Sequence, residues 1–400
     1  MEFEFGTAAR ILFGPGTLAQ VGPAARGMGS RALVVTGRDT GRAGPLVDLL
    51  GARGVGVAAL FSVPGEPTIG LAGEGAALAV AHQCDAVIAL GGGSVIDAGK
   101  AIAALAANGG DPLDYLEIVG RGRRLDRPSL PMIAIPTTAG TGAEVTRNAV
   151  LVSPEHGIKA SLRSPTMLPR LAVVDPALTH SMPPEVTAST GLDALTQLIE
   201  PFTSVRANPL VDGLCREGIV RVARSLRRAF TDGQDAGARE EMALASLFGG
   251  LALANAGLGV VHGFAAVIGG MFRAPHGAVC AALLPHVMVA NLAALRARVP
   301  GSPAVARYGE IARLLTGDPA ANPGDGVRWV RTLLADLRVP SLAAYGITTE
   351  LVPAIVGKTE AASSTKGNPL VLGCGELTDI LIAALGELSC DQADAGSNDC

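Results

Sequence analysis

From residue 31 onward the chain repeats one hydrophobic pattern: a short unbroken apolar run, a turn rich in Gly or Pro, then a stretch with helical spacing. Arg31-Ala-Leu-Val-Val-Thr36 ends at Gly37, and a second run covers 56–61. Asp85-Ala-Val-Ile-Ala-Leu90 leads into Gly91-Gly-Gly-Ser94, and Pro131-Met-Ile-Ala-Ile135 leads into Pro136-Thr-Thr138. Runs without polar alternation are those of strands buried on both faces. Helical patterns intervene up to about 53 and from 95 to about 107. This β-α-β rhythm predicts a doubly wound α/β domain over 1–180, with shorter strands at 148–152, 158–162 and 171–174.

After Pro183-Pro184 the texture changes. Helical patterns dominate, for example at 211–228, 239–255, 304–315 and 326–337, and no strand run stands out. The expectation is an all-helical domain over 181–390, followed by a small, polar, disordered tail at 391–400. No internal repeat is visible.

Composition narrows the function classes. At 400 residues and 48% hydrophobic content, the chain can bury two cores. A net charge of −4 and 3% aromatic residues offer neither a basic stripe nor stacking rings, which excludes nucleic acid as a partner. Apolar runs are interrupted before about 18 residues, so no membrane span is expected. Met1-Glu-Phe-Glu-Phe is acidic and strand-like, with no signal segment, and the six cysteines lack a Cys-x-x-Cys pair. Both point to a cytoplasmic protein with reduced thiols. Only four of 32 basic residues are lysine (Lys100, Lys159, Lys358 and Lys366).

Candidate chemistry falls into two groups. Gly91-Gly92-Gly93-Ser94 lies between a buried strand and a helix, where bare amides and a helix N-terminus can meet a pyrophosphate. Pro136-Thr137-Thr138-Ala-Gly140-Thr141-Gly142-Ala-Glu144 also follows a strand, and its hydroxyls suit a cofactor's phosphate, ribose or amide. Two such loops at the carboxyl ends of parallel strands point to one crevice. In the second half, His262 precedes a helix predicted over 263–270, which Gly269-Gly270 should break before Pro275-His276. Two imidazoles at two helix starts can converge on a metal or on acid–base chemistry, or they can be unrelated histidines. Asp193 and Gln197 share a helical face upstream. Asp193, His262 and His276 together would make a three-ligand divalent site for iron or zinc. Glu200 reads as a surface or hinge charge.

Gly91-Gly-Gly-Ser-Val-Ile-Asp97-Ala-Gly-Lys100, the Pro136–Glu144 motif, Asp193-Ala-Leu-Thr-Gln197 and the His262–His276 stretch occur in this order. The set resembles the iron-containing (group III) alcohol dehydrogenase family, and the likeness covers most of the chain. The resemblance implies an N-terminal dinucleotide domain, a helical C-terminal domain, and a metal and active site in a cleft between them. It also implies NAD(P)-dependent interconversion of small alcohols with aldehydes or ketones, in homodimers. Under it, Gly92, Gly93 and Ser94 contact pyrophosphate, and Asp97, Thr137, Thr138 and Lys159 line the cofactor or its reactive end. Asp193, His262 and His276 hold the metal.

Three features depart from the family pattern. Gln197 stands where the family has histidine, and an amide oxygen is a poor ligand. Ala266 stands where members carry another histidine, so water, a ribose hydroxyl or His180 would have to relay the proton. Lys366, in Ser363-Ser-Thr-Lys-Gly-Asn-Pro-Leu370, is unusual in a cleft loop and would meet an anionic substrate group; the alternative is an exposed loop lysine. After Val35-Thr36, Gly37 leaves room for a 2′-phosphate and Arg38 could pair with it, which favours NADP(H) over NAD(H). Two rival readings are a dehydroquinate synthase-like sugar-phosphate cyclase, and a nucleotide-binding homologue with a degenerate metal site.

Overall fold

The structure is a computed structural model and describes residues 2–386. The tail at 391–400 lies outside the described residues. The chain divides into two compact units, Met1–Met182 and the part from Pro183 onward.

The first unit holds eight strands: β1 (Ile11–Phe13), β2 (Arg31–Thr36), β3 (Gly56–Ser62), β4 (Ala86–Gly91), β5 (Met132–Pro136), β6 (Asn148–Ser153), β7 (Ile158–Arg163) and β8 (Leu171–Val174). Its α-helices are α1 (Val21–Arg26), α2 (Gly44–Gly51), α3 (Ile69–Ala81) and α4 (Gly93–Asn108). Six strands form a sheet in the order β1-β8-β5-β4-β2-β3, every pair parallel, while β6 and β7 form a separate antiparallel hairpin. The period of two sorts the side chains. Val34, Ile88, Ile133 and Val173 pack with Val21, Leu46 and Leu50 of α1 and α2. Leu33, Val35, Val87 and Ala89 pack on the other face with Ala79, Ile96 and Ile102 of α3 and α4. Both faces are covered, which explains the unbroken apolar runs. Gly99 lets α4 lie close to the sheet, since a Cβ there would come within 2.9 Å of Ala89 Cβ and Met132 Cε.

The second unit is helical: α5 (Pro184–Thr203), α6 (Pro209–Thr231), α7 (Ala236–Ala256), α8 (Val260–Met271), α9 (His276–Arg298), α10 (Pro303–Thr316), α11 (Pro323–Asp336), α12 (Val352–Glu360) and α13 (Cys374–Leu385). Several starts are fixed by side-chain caps. Asn208 Oδ1 accepts from Val211 N, Asp235 Oδ1 from Ala238 N, and Asn322 and Asp325 form a capping box. Helix α5 is central and packs against α6, α7 and α9. Its Leu192, Leu195, Leu198, Ile199 and Phe202 are no more than 1% exposed. Each contributes about 1.5–3 kcal/mol by burial, enough to hold in place a helix that also buries Asp193, Gln197 and Glu200.

The structure corrects two sequence expectations here. Helix α8 runs through Gly269-Gly270 and ends at Met271, with Phe272 extended. Glycine in a helix costs only about 1 kcal/mol, and the packing of Val267 and Ile268 outweighs it. The chain turns instead before Pro275, whose neighbour is biased to extended backbone. Glu200 is 5% exposed and is no surface charge. Helix α9 is long and apolar enough to cross a bilayer by length and composition alone, but 78% of its apolar window is buried within the protein, as in a core helix. Pro285 and His286 interrupt the apolar run without stopping the helix.

Candidate functional site

Three helices of the second unit bring the predicted ligands together. Asp193, Gln197 and Glu200 stand at i, i+4 and i+7 on α5, so all three share a face. His262 is in the first turn of α8, and His276 opens α9. Two glycines permit the close approach. A Cβ at Gly277 would lie 2.1 Å from Ser189 O, so α9 begins in contact with the α5 backbone. A Cβ at Gly259 would lie 2.8 Å from Glu200 Oε1, so the start of α8 closes over that carboxylate.

Asp193 Oδ1 lies 3.4 Å from His262 Nε2 and 3.7 Å from His276 Nε2, and the two rings are 5.4 Å apart at their centroids. Cys280, one turn after His276 on α9, places Sγ 3.8 Å from His276 Nε2. One ligand atom from each of Asp193, His262, His276 and Cys280 lies within 4.8 Å of all the others. The second carboxylate positions the first imidazole. Glu200 Oε2 is 2.6 Å from His262 Nδ1, and Glu200 Oε1 accepts from Val261 N at 2.7 Å. That pairing places the ring proton on Nδ1 and turns the Nε2 lone pair toward Asp193. Asp193 Oδ2 accepts from Gln197 Nε2 at 2.9 Å.

Two buried acceptors therefore face one another. Asp193 Oδ1 and His262 Nε2 both lack a hydrogen-bond partner, at 2% and 5% exposure of their residues. Unpaired buried polar atoms are costly, and a carboxylate oxygen opposite an imidazole nitrogen is stable only with a proton or a metal cation between them. The electrostatics agree. Burial opposes charge on His262, yet Cys280, Glu200 and Asp193 raise its pKa well above the ordinary value. Burial opposes ionisation of Asp193 and Cys280, yet the two imidazoles hold both below their usual ranges. A field that holds a proton so firmly also holds a divalent ion, and the donor set fits one. His276 is the open side of the cluster, with 30% of its side chain exposed.

In the first unit, the glycine-rich loop and the threonine loop are adjacent. Gly91 pairs with Pro136 in register, and Thr137 N donates to Gly91 O at 2.9 Å. A Cβ at Gly93 would lie 2.7 Å from Thr141 Cγ2, and one at Gly92 would lie 3.3 Å from Thr138 Cγ2. Sheet order reverses between β2, whose next strand lies on one side, and β4, which lies on the other. Ligands bind in α/β sheets outside the strand ends at such a reversal. Gly37, at the end of β2, and Gly91–Ser94, at the end of β4, flank it. Nothing lies within 4 Å of a Cβ built on Gly37, and exposed Arg38 donates to Pro64 O at 3.3 Å.

Other expected residues are engaged elsewhere. Asp97 pairs with Lys100 at 2.9 Å and accepts from Val150 N at 3.0 Å. Lys159, on β7, is paired with Glu66 at 3.0 Å. His180 caps the short 3-10 turn Pro176–Thr179. Lys366 is exposed in the turn Ser363–Gly367, which packs on α8 through Thr365 against Gly263. Sequence reasoning missed Glu200 and Cys280 as members of the cluster. The signals were present: Glu200 continues the Asp193 face, and Cys280 stands one turn from His276.

Comparison with known proteins identifies the family. The family model for iron-containing alcohol dehydrogenase matches residues 8–176, and that for the Fe-containing alcohol dehydrogenase family, C-terminal, matches 187–385. The chain belongs to the iron-containing alcohol dehydrogenase family, and it is an alcohol oxidoreductase. It is 34% identical over 374 residues to a choline dehydrogenase of Bacillus subtilis, covering 92% of this chain and 90% of that protein. It is 38% identical over 288 residues to a 1,3-propanediol dehydrogenase of Klebsiella pneumoniae, covering 70% and 73% of the two chains. Among solved structures, a 1,3-propanediol oxidoreductase superposes with a TM-score of 0.89 at 32% identity, covering 96% of this chain and all (100%) of that one. A sulfoacetaldehyde reductase from Bifidobacterium kashiwanohense, in complex with NAD+, gives 0.84 at 28% identity, covering 96% and 99%. The family implies a metal and nicotinamide dinucleotide use, with small alcohols or aldehydes as substrates.

Proposed function

We propose that this protein is a metal-dependent, NAD(P)(H)-linked oxidoreductase that interconverts a small alcohol and its aldehyde or ketone, with an anionic group on the substrate. The observation that carries the metal is the pair of unpartnered buried acceptors, Asp193 Oδ1 and His262 Nε2, facing one another 3.4 Å apart. A divalent ion held by Asp193, His262 and His276 would supply a Lewis acid for the substrate oxygen. A nicotinamide would supply the hydride acceptor or donor. The chain's own residues do the rest. Glu200 keeps the His262 proton on Nδ1, so that Nε2 stays a lone-pair donor. Gln197 engages Asp193 Oδ2 and leaves Oδ1 toward the imidazoles. The exposed edge of His276 is the side from which substrate approaches. No imidazole stands at Ala266, so the alcohol proton leaves through water, a ribose hydroxyl or His180.

In the same reading Gly91, Gly92, Gly93 and Ser94 hold the pyrophosphate, and Thr137, Thr138 and Thr141 meet the adjoining ribose or amide. Asp97 and Lys159 border the cofactor, and Gly37 with Arg38 favours NADP(H) over NAD(H). The anionic substrate rests on Lys366 and on the likeness to a reductase of sulfoacetaldehyde. A cytoplasmic homodimer completes the reading; described Cys84, Cys215, Cys280 and Cys374 are all free thiols, which suits that compartment. A turnover screen of short alcohols, aldehydes and oxo-acids, with both cofactors and with added iron or zinc, tests the proposal. Metal-stimulated net change in nicotinamide absorbance is expected. Tight nucleotide binding without turnover under any metal would instead favour a degenerate homologue.

A further inference from the structure

Four side chains converge at the centre, and Cys280 is the one the reaction above does not use. It is fully buried, its Sγ lies 3.8 Å from His276 Nε2, and it stands within 4.8 Å of every other ligand atom of the cluster. Two independent buried groups aim at the same place without partners, Asp193 Oδ1 and His262 Nε2. Gln197 behaves differently. Its amide N–H end is committed to Asp193 Oδ2 at 2.9 Å, since only a donor can face a carboxylate oxygen. Its Oε1 lies instead against α7, where a Cβ built on Gly249 would come within 3.3 Å. One end of the amide fixes Asp193, and the other, Oε1, is buried against a neighbouring helix without a hydrogen-bond partner.

We propose that the Cys280 thiolate is the fourth protein ligand of the metal, that Gln197 is not a ligand, and that the Asp193–His262–His276–Cys280 set favours zinc over ferrous iron. The inference rests on the metal reading of the site given above. Thiolate with two imidazoles and one carboxylate is a zinc-type donor set, whereas oxygen and imidazole alone do not discriminate against iron in this way. Binding displaces the thiol proton of Cys280 to solvent, so charge balances as the ion enters. Four protein donors do not close the site to a substrate oxygen, because zinc expands to five-coordination.

Cobalt(II) is the probe. Metal-free full-length protein is titrated with it while the visible and near-ultraviolet spectra are followed. The wild type is expected to develop weak visible d–d bands together with an intense near-ultraviolet thiolate-to-cobalt charge-transfer band. Cys280→Ser should retain visible bands, lose the charge-transfer band, and bind cobalt at least about 10-fold more weakly. Its zinc-to-iron binding ratio should also fall. Gln197→Ala and Cys215→Ser should both keep the charge-transfer band. A wild-type cobalt complex with visible bands alone, or a charge-transfer band undiminished in Cys280→Ser, overturns the Cys280 assignment and leaves the metal reading standing. Wild-type protein that takes up no cobalt overturns both. If Cys280→Ser does not fold, X-ray absorption of the zinc-loaded wild type decides. A sulfur neighbour at about 2.3 Å is expected, and a shell of nitrogen and oxygen alone at about 2.0–2.1 Å overturns the assignment.

Discussion

Glu200→Gln removes one charge and one acceptor from the group that orients His262. Both Glu200 oxygens now accept: Oε2 faces His262 Nδ1 at 2.6 Å and Oε1 faces Val261 N at 2.7 Å. An amide can satisfy only one of these donors, and its NH2 then opposes the other. If the NH2 faces His262, the ring is driven to carry its proton on Nε2, and the lone pair directed at Asp193 is lost. If it faces Val261, a buried backbone N–H is left without an acceptor. A hydrogen bond to a charged group contributes about 1.5–3 kcal/mol. Loss of a carboxylate behind a metal-binding histidine weakens metal affinity by about 10–100-fold. The two magnitudes agree, since about 1.4 kcal/mol is a factor of ten. The assay is competition for zinc against a chromophoric chelator, with thermal unfolding of metal-free protein as the control for folding. The expected result is a Kd raised about 10–100-fold in a variant that keeps its helical content. A Kd within about twofold of the wild type would refute the positioning role of Glu200, because a bond this short and this buried cannot be removed without effect if Nε2 holds the ion.

Four further outcomes are expected. Gly277→Ala places a Cβ 2.1 Å from Ser189 O and must push α9 off α5; we expect a stability loss of about 1–3 kcal/mol and reduced zinc retention, checked by denaturant melts and elemental analysis. Glu144, buried beside the threonine loop, has its carboxyl pushed up to about 7, by burial first and against the pull of Lys100. A raised carboxyl contributes stability present below the unfolded value and lost as pH rises through the folded one. Stability should therefore fall by up to about 3 kcal/mol between about pH 4.5 and about pH 7, and Glu144→Gln should flatten that slope in urea melts at a series of pH values. Arg38→Gln should weaken NADPH binding by about tenfold or more while leaving NADH within about twofold, as loss of one charge-assisted phosphate contact implies; equal losses would remove the 2′-phosphate assignment. Lys366→Met should lower kcat/KM for anionic aldehydes and spare neutral ones, and an equal loss on both would remove Lys366 from substrate recognition.

The parallel sheet was legible because its strands are buried on both faces, so Ala86–Gly91 and Met132–Pro136 appear as unbroken apolar runs. Four helices of the second half were legible through their spacing, with ends that differ by no more than three residues, as in Pro209–Thr231. Gly269-Gly270 misled because local propensity is weaker than the packing of a buried apolar helix. Asp193, His262 and His276 were found because two of only six histidines fall at helix starts and a carboxylate stands on a helix face upstream. Glu200 was not, since a carboxylate at a helix position is exposed by default; only the 2.6 Å contact with His262 reveals its purpose. Cys280 was counted as an ordinary thiol because cysteine is among the most buried residues even without any site. Partners such as Glu66 for Lys159 join segments 93 positions apart, which periodicity cannot disclose.

Metal content measured together with turnover bears most directly on the central claim. Protein stripped with chelator and reloaded with zinc should bind one ion per chain and regain alcohol-dependent reduction of nicotinamide in proportion to the ion bound. Asp193→Ala and His276→Ala should lose both together. Undiminished turnover in chelator-stripped protein, or full metal content in Asp193→Ala, would contradict it.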